Sequence, residues 1–542
     1  MLLQAAPELI LHNARVLVLD QRFSEVQALA IEQGRIVATG RDRAVLALAD
    51  EQTRIEDMQG RMLIPGLIDN HIQAVRAARL WRNQVRLDGI TSYRQALERI
   101  ADKAKTLPKG EWILTLGGFI ERQFLDQPNG FRLGDLDRVA PDHPVYLQHL
   151  FDWGYVNSRA LAAIGIDARV PNQRRSGLLL DDEGFPGGAV ALQTQRRILA
   201  ALPKPTDEQR LDSARQLMAD LNRVGLTTVL DVGGADIQPR DYQPFQQLDQ
   251  QGALPLRLYY LKPLVARSPG AGKQADLDWL NDWQPLSGSD YYRAIGVGEQ
   301  LYLPERESVG RLAGSQHHAH EAFYRYARLL AELGIHLQLV AGTEHSLKIH
   351  LNQFERLAEE FDLRPLRWTF AYADGIGTEL IGRLHKAGFN IAVHARPWLI
   401  GYRFHARFGS KAYQMTPLKA LTEQKIDWGL GSDSPVVASY NPFHTLSWAV
   451  TGTMVDGTPI SKQSVSRQQA LIAHTRSNAW LLFAENRLGT LEPGKRADLV
   501  VLDRDYLKVP VEQIRDIRPW ATMVDGRWVY RAQPAAGSNL AR

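Results

Sequence analysis

The stretch Gly60-Arg61-Met62-Leu63-Ile64-Pro65-Gly66-Leu67-Ile68-Asp69-Asn70-His71-Ile72-Gln73 decides how the rest of the chain is read. It is an apolar strand that passes a Pro65-Gly66 turn, continues through Leu67 and Ile68, and ends in polar groups. Side chains alternate along an extended strand, so Asp69, His71 and Gln73 share a parity and face one way. This is the pattern of a buried parallel strand that delivers chemistry at its C-terminal end. An edge strand entering a polar loop carries the same few residues, so the decision rests on what lies to either side.

Upstream, residues 9–40 alternate and turn like a small antiparallel sheet. Leu9-Ile10-Leu11 meets a His12-Asn13 turn before Val16-Leu17-Val18-Leu19, and Ala28 to Ile31 is joined through Glu32-Gln33-Gly34 to Arg35-Ile36-Val37-Ala38. The far end repeats this texture in Ala497 to Asp503, Ala521 to Val524, an Asp525-Gly526 turn and Trp528-Val529-Tyr530. Neither end has strands enough to bury a face alone, so the two predict one sandwich.

Between them strands alternate with helices. Ser92-x-x-Gln95 opens a helix running to the region of Lys105. Gly225 to Asp231 reads as a strand; a helix over Glu321 to Leu333 precedes the strand Ile335 to Val340; Glu379 to Lys386 is a helix before Phe389 to Val393. Trp428-Gly429-Leu430-Gly431 leads into Ser432-Asp433-Ser434. The cadence predicts an α/β fold: a (β/α)8 TIM-like barrel, a composite β-sandwich formed by both termini, and an inserted lobe. Residues 1–64 and 487–535 are assigned to the sandwich and 65–486 to the barrel, with 88–220 too long for one barrel connection and read as the lobe. Ala535 to Arg542 reads as a frayed tail.

A chain of 542 residues outruns a single small core, and 44% hydrophobic with 23% charged residues is ordinary for a globular protein. A net charge of +4, with no Lys/Arg run interleaved with aromatics, argues against a nucleic-acid partner. An N-terminus without a basic region and apolar core, and the lack of any spanning apolar segment, exclude a membrane partner and make the cytoplasm the default. The absence of cysteine removes disulfides, thiolate ligands and a Cys nucleophile. A small-molecule substrate and a homodimer are the partners this leaves.

Pro65-Gly66-Leu67-Ile68-Asp69-Asn70-His71 resembles the first-strand motif of the amidohydrolase superfamily, and Gly489-Thr490-Leu491-Glu492-Pro493-Gly494-Lys495-Arg496-Ala497-Asp498-Leu499-Val500 resembles its signature for re-entry into the sandwich. Gly110-Glu111-Trp112-Ile113, Tyr155 to Leu161 and Gly431-Ser432-Asp433-Ser434-Pro435-Val436 are similar to the branch that contains N-substituted formamide deformylases. The resemblance implies the barrel and sandwich together with hydrolysis of a non-peptide C–N bond by metal-activated water. Its ligand set is a pair of histidines on the first strand, a lysine or acid on the fourth, a histidine each on the fifth and sixth, and an aspartate on the eighth. A bound cation lowers the pKa of water to about 7 and polarises the carbonyl.

Carried over by position, most of that set is replaced. His71 stands at the first histidine but Gln73 at the second; Val340, in Val340-Ala341-Gly342-Thr343-Glu344, occupies the fifth-strand place, and Tyr372, in Ala371-Tyr372-Ala373, the sixth. No lysine falls near Val297-Gly298-Glu299, although Glu299 lies close; Asp433 is retained. A catalytic zinc typically takes three protein ligands. Here His71 and Asp433 are the residual candidates, while a glutamine lends a neutral carbonyl, a valine nothing, and a phenol of pKa about 10 little. The expectation is a site with no cofactor, working with little or no metal. Zinc is retained only if Glu299, Glu344 or a nearby histidine substitutes.

Among the candidates, Asp433 reads as a general base or as the cap of its own turn, and His71 as its acid/base partner or as a core histidine. Tyr372 reads as an oxyanion donor or a packed aromatic, with Gln73 also available to the polarised oxygen. His394 and Arg396 sit at the top of another strand, Arg396 placed to clamp a substrate carboxylate or an acid of the lobe. Trp153, with Asp152, Tyr155, Trp112 and Phe119, reads as an aromatic pocket wall or as lobe core. His317, His318 and His320 read as a solvated helix start rather than a metal site. The function predicted is an amidohydrolase-like enzyme cleaving a C–N bond of a small molecule, with metal-free dehydration or isomerisation also fitting the altered site. A catalytically inactive barrel serving as sensor or regulator, and a metal-dependent amidase with substitute ligands, are the alternatives.

Overall fold

The computed structural model describes residues 6–171, 177–181, 183, 185–234, 236–263, 280, 283–302, 307–308, 311–312 and 317–533. Its centre is a sheet of eight strands: β1 (Leu67–Ile72), β2 (Leu226–Asp231), β3 (Arg257–Lys262), β4 (Tyr292–Glu299), β5 (His336–Ala341), β6 (Thr369–Tyr372), β7 (Asn390–His394) and β8 (Trp428–Gly431). They pair in sequence order and all in parallel. Every residue of β1 is buried, as a strand covered on both faces requires.

The first and last strands meet at their C-terminal ends. Asp433 N donates to His71 O at 2.9 Å and Gln73 N to Ser434 O at 2.9 Å. Below this, Asn478 donates its amide to the carbonyls of Ile68 (2.5 Å) on β1 and Leu430 (2.6 Å) on β8, and accepts from the Asn70 amide at 2.8 Å. The side chain thus satisfies backbone groups that the open seam would leave unpaired. Gly429 and Gly431 are needed for this approach, because a Cβ on either would overlap the amide oxygen of Asn478 or Asn70.

The sandwich takes strands from both ends of the chain. One sheet runs Arg527–Arg531, Pro519–Val524, Leu499–Leu502, Met62–Pro65, Arg15–Leu17, Glu25–Val26; the other runs Arg35–Gly40, Ala28–Glu32, Leu9–His12, Arg54–Asp57. Leu11, Ile31, Leu63, Val501 and Met523 fill the space between. Each buried aliphatic side chain of this kind contributes about 1.5–3 kcal/mol. Arg257, at the start of β3, forms a buried 2.6 Å ion pair with Asp498, which ties the foot of the barrel to the sandwich.

The lobe is built on a five-stranded sheet, Leu178–Leu180, Pro186–Ala191, Trp153–Val156, Val145–His149, Ile113–Leu116. The helix Tyr93–Thr106, capped by Ser92 as its sequence predicts, covers it. The lobe rests beside β8, where Gly118 N donates to Val436 O and Arg86 to Pro435 O. The helix Asp207–Arg223 packs on β2 and on Pro519–Val524, so the chain has returned to the barrel before residue 220. No helix among the described residues is long and apolar enough to cross a membrane. Residues 535–542 and the side chains of His317 and His318 lie outside the described residues; His320 belongs to the helix His317–Glu332.

Candidate active site

Five strands bring one polar group each to the mouth of the barrel: His71 on β1, Glu299 on β4, Gln338 on β5, Tyr372 on β6 and His394 on β7. Asp433 follows two residues after β8. Tyr372, Ala373 and Asp433 have φ of 78°, 51° and 64°. This left-handed conformation costs a residue with a Cβ about 1–2 kcal/mol and is kept where surrounding bonds impose it. For Asp433 the bond from its amide to His71 O is one of these.

His71 Nε2 lies 3.7 Å from Glu299 Oε2 and 3.7 Å from Asp433 Oδ1. Gln73 donates to Glu299 Oε2 at 3.3 Å. His394 Nδ1 is 3.9 Å from Asp433 Oδ2, and its ring centroid is 4.0 Å from that of His71. Tyr372 hydrogen-bonds Asp433. Arg396 Nε stands 4.0 Å from Asp433 Oδ2. The expected residues His71, Gln73, Tyr372, His394, Arg396 and Asp433 therefore share one cluster.

Arg396 and Trp153 each have partners that the sequence did not identify. The acid that holds Arg396 is not on the lobe; it is Asp374, in the loop after β6, itself fixed by Thr416 Oγ1 at 2.8 Å. Trp153 stacks on His149 with centroids 4.0 Å apart and donates to Glu121 at 2.9 Å, which engages it in the lobe's own polar cluster.

Burial governs the electrostatics. It raises Asp433 to about 7 against the opposing charge of Arg396. It raises Glu299 to about 8, with the charge of Asp433 adding to the effect and Arg76 opposing it. The two acids sit beside the same imidazole, so they titrate as a pair. Burial, then Arg396, lowers His71 to about 3, and burial, then His71, holds His394 well below its usual value. At neutral pH both imidazoles are uncharged. His71 is thus a hydrogen-bonding group there, and the groups that exchange protons near neutrality are the two carboxyls.

His71, His394 and Asp433 turn ligand-capable atoms to within 4.8 Å of one another. Both nitrogens of His394, Nε2 of His71 and Oδ2 of Asp433 are buried without a hydrogen bond. The count suits a catalytic zinc; the protonation of His71 does not. The Gln338 amide nitrogen lies 3.3 Å from Asn70 O and 3.0 Å from His71 Nδ1. A carbonyl oxygen only accepts, so the nitrogen end of the amide must face it, and Nδ1 must then accept from that same nitrogen. The proton of the neutral ring is left on Nε2. A metal-ligating histidine has the reverse arrangement, with its far nitrogen donating. In that tautomer His71 Nε2 offers no lone pair, while His394 and Asp433 keep theirs.

Gln338, Asp374 and Asn478 are absent from the sequence-based candidates. For Gln338 a signal exists: it interrupts the apolar strand His336-Leu337-Gln338-Leu339-Val340. Asp374 and Asn478 lie in loop and helix contexts where such residues are common.

The amidohydrolase family profile matches residues 54–530. N-substituted formamide deformylase of Arthrobacter pascens is 25% identical over 96% of this chain and 97% of its own length. The putative amidohydrolase YtcJ of Bacillus subtilis is 24% identical over 96% of this chain and 99% of its own. Among solved structures, an uncharacterized metal-dependent hydrolase from Pyrococcus furiosus superposes with a TM-score of 0.62 at 20% identity, covering 92% of this chain and all of that one. That last likeness speaks to the fold. With the barrel, the two-ended sandwich and a profile match over most of its length, the chain belongs to the amidohydrolase family.

Proposed function

We propose that this chain hydrolyses a non-peptide C–N bond, the amide of a small molecule, with little or no metal. The observation that carries the reading is a pair of carboxyls, Asp433 buried and Glu299 partly so, each 3.7 Å from one imidazole nitrogen and each raised into the neutral range. Two carboxyls held in different protonation states supply the acid and the base of a hydrolysis.

Asp433, ionised first, takes a proton from water as its oxygen adds to the amide carbon. Glu299, still protonated, gives its proton to the departing nitrogen as the C–N bond breaks. The products are a carboxylic acid and an amine, and the proton gained by Asp433 returns to Glu299 directly or through solvent. His71 Nε2–H and the Gln73 amide supply donors for the oxygen that becomes negative. Tyr372 and Arg396 hold Asp433 in place.

A second reading, the metal-dependent amidase, draws support from the unpaired nitrogens of His394 beside Asp433 Oδ2. There His71, His394 and Asp433 would be the holding residues, and a bound ion would supply activated water. The protonated Nε2 of His71 weighs against it.

N-substituted formamides and simple secondary amides are the first substrates to screen, given the similarity to the deformylase. Turnover of a member of this panel, cut about 10²–10⁴-fold by Asp433→Asn, is the expected result. A fully active Asp433→Asn variant, or no turnover across the panel, would contradict the proposal.

A further inference from the structure

The ring of His71 is presented to Glu299, Asp433 and His394 by a neighbour on another strand. Gln338 is buried on β5, and its amide nitrogen carries two protons with two acceptors in reach, Asn70 O at 3.3 Å and His71 Nδ1 at 3.0 Å. Reversing the amide would let its oxygen accept from Nδ1–H of the ring, but would set that same oxygen against the Asn70 carbonyl, acceptor against acceptor, and leave the carbonyl without this donor. The amide orientation is therefore locked by the backbone of β1, and the imidazole by the amide.

We infer that Gln338 is the positioning residue that fixes the Nε2–H tautomer of His71, and that in doing so it keeps divalent metal off the His71–His394–Asp433 group. This deepens the reading above and rests on its use of His71 as a donor beside the two acids. The replaced residues at 73, 340 and 372 do not by themselves close the site to metal. The three atoms of His71, His394 and Asp433 still lie within 4.8 Å, with Glu299 Oε2 3.7 Å from His71 Nε2. What the group lacks is a lone pair on His71 Nε2. A glutamine amide could serve either tautomer; here the Asn70 carbonyl selects the end that faces the ring. A carboxylate there accepts a proton from Nδ1 and turns the Nε2 lone pair toward Asp433, which is the arrangement of a metal-bound histidine. A methionine of similar length imposes neither tautomer.

The test is the tautomer and the zinc affinity of the full chain, each read without substrate. Histidine labelled with 15N gives the protonation of each His71 nitrogen, the signals being assigned by their loss in His71→Gln. Zinc affinity is measured by equilibrium dialysis for wild type, Gln338→Glu and Gln338→Met, with melting curves to verify folding. Wild type is expected to carry its proton on Nε2 and to bind zinc weakly. Gln338→Glu is expected to move the proton to Nδ1 and to tighten zinc binding about 10–100-fold, the usual weight of such a partner. Gln338→Met is expected to populate both tautomers and gain less. A wild-type proton on Nδ1 overturns the inference, and so does unchanged zinc affinity in both variants. These readouts do not depend on turnover, so the inference can fail while metal-free hydrolysis stands, and the reverse.

Discussion

The guanidinium carbon of Arg396 lies 3.6 Å from the ring centroid of Tyr372. One face of the phenol thus backs the cation that stands beside Asp433, while the phenol itself bonds that carboxyl. Planar stacking and the ion pair to Asp374 together need a guanidinium, so lysine is not a conservative replacement here. Arg396 pulls the Asp433 pKa down against burial. Arg396→Lys should raise it, moving the acidic limb of kcat/KM to higher pH and reducing the rate at pH 7. An acidic limb that stays in place in this variant would show that Arg396 does not tune Asp433.

Glu299 makes folding depend on pH with a definite sign. Its folded pKa, about 8, is above the usual 4.5, so the folded state holds this proton more tightly than the unfolded chain. The contribution is fully present below the unfolded value and is lost as pH rises through about 8. Glu299→Gln removes the dependence. Relative to wild type its melting temperature should be higher at pH 9 than at pH 5, by about 1 °C for each kcal/mol of relief in a chain of this length. Equal differences at the two pH values would contradict the assignment.

The two buried histidines oppose this on the acid side. His71 is lowered to about 3 and His394 well below its usual 6.5, so both are neutral when folded but take protons when unfolded. Their contribution is present above the unfolded value and is lost as pH falls through about 6.5 toward the folded ones. His394→Gln should therefore flatten the fall of melting temperature between pH 7 and pH 5, measured by calorimetry.

Arg257 and Asp498, 1% and 5% exposed, join barrel and sandwich. Removing one partner leaves a buried charge alone, at a cost of about 3–5 kcal/mol. Asp498→Asn should lower the urea midpoint accordingly, and Arg257→Met combined with Asp498→Leu should recover much of the loss. A double variant as unstable as the two single ones summed would show that the pair is not coupled.

The architecture is legible because each element carries its own signal. The apolar run into Asp69, His71 and Gln73 marks β1; Trp428-Gly429-Leu430-Gly431 before Asp433 marks β8; strand-rich ends mark the two-ended sheet. Strand periodicity also places His394 and Tyr372 at strand tops. It is silent on what each side chain meets across the barrel. Gln338 is 267 residues from His71, and Asn478 is 408 from Asn70, so their roles rest on closure of the sheet rather than on any local pattern. Arg396 illustrates the same limit: its residue type announces an acidic partner, but only the loop after β6 identifies Asp374.

Metal-free proton transfer between Asp433 and Glu299 is tested most directly by the pH profile of kcat/KM in chelator, on whichever amide of the panel is turned over. The account predicts full activity in chelator and a bell with apparent pKa values in the range of about 7 for Asp433 and about 8 for Glu299, with the alkaline limb abolished by Glu299→Gln. Activity lost in chelator and restored by one equivalent of zinc would contradict it.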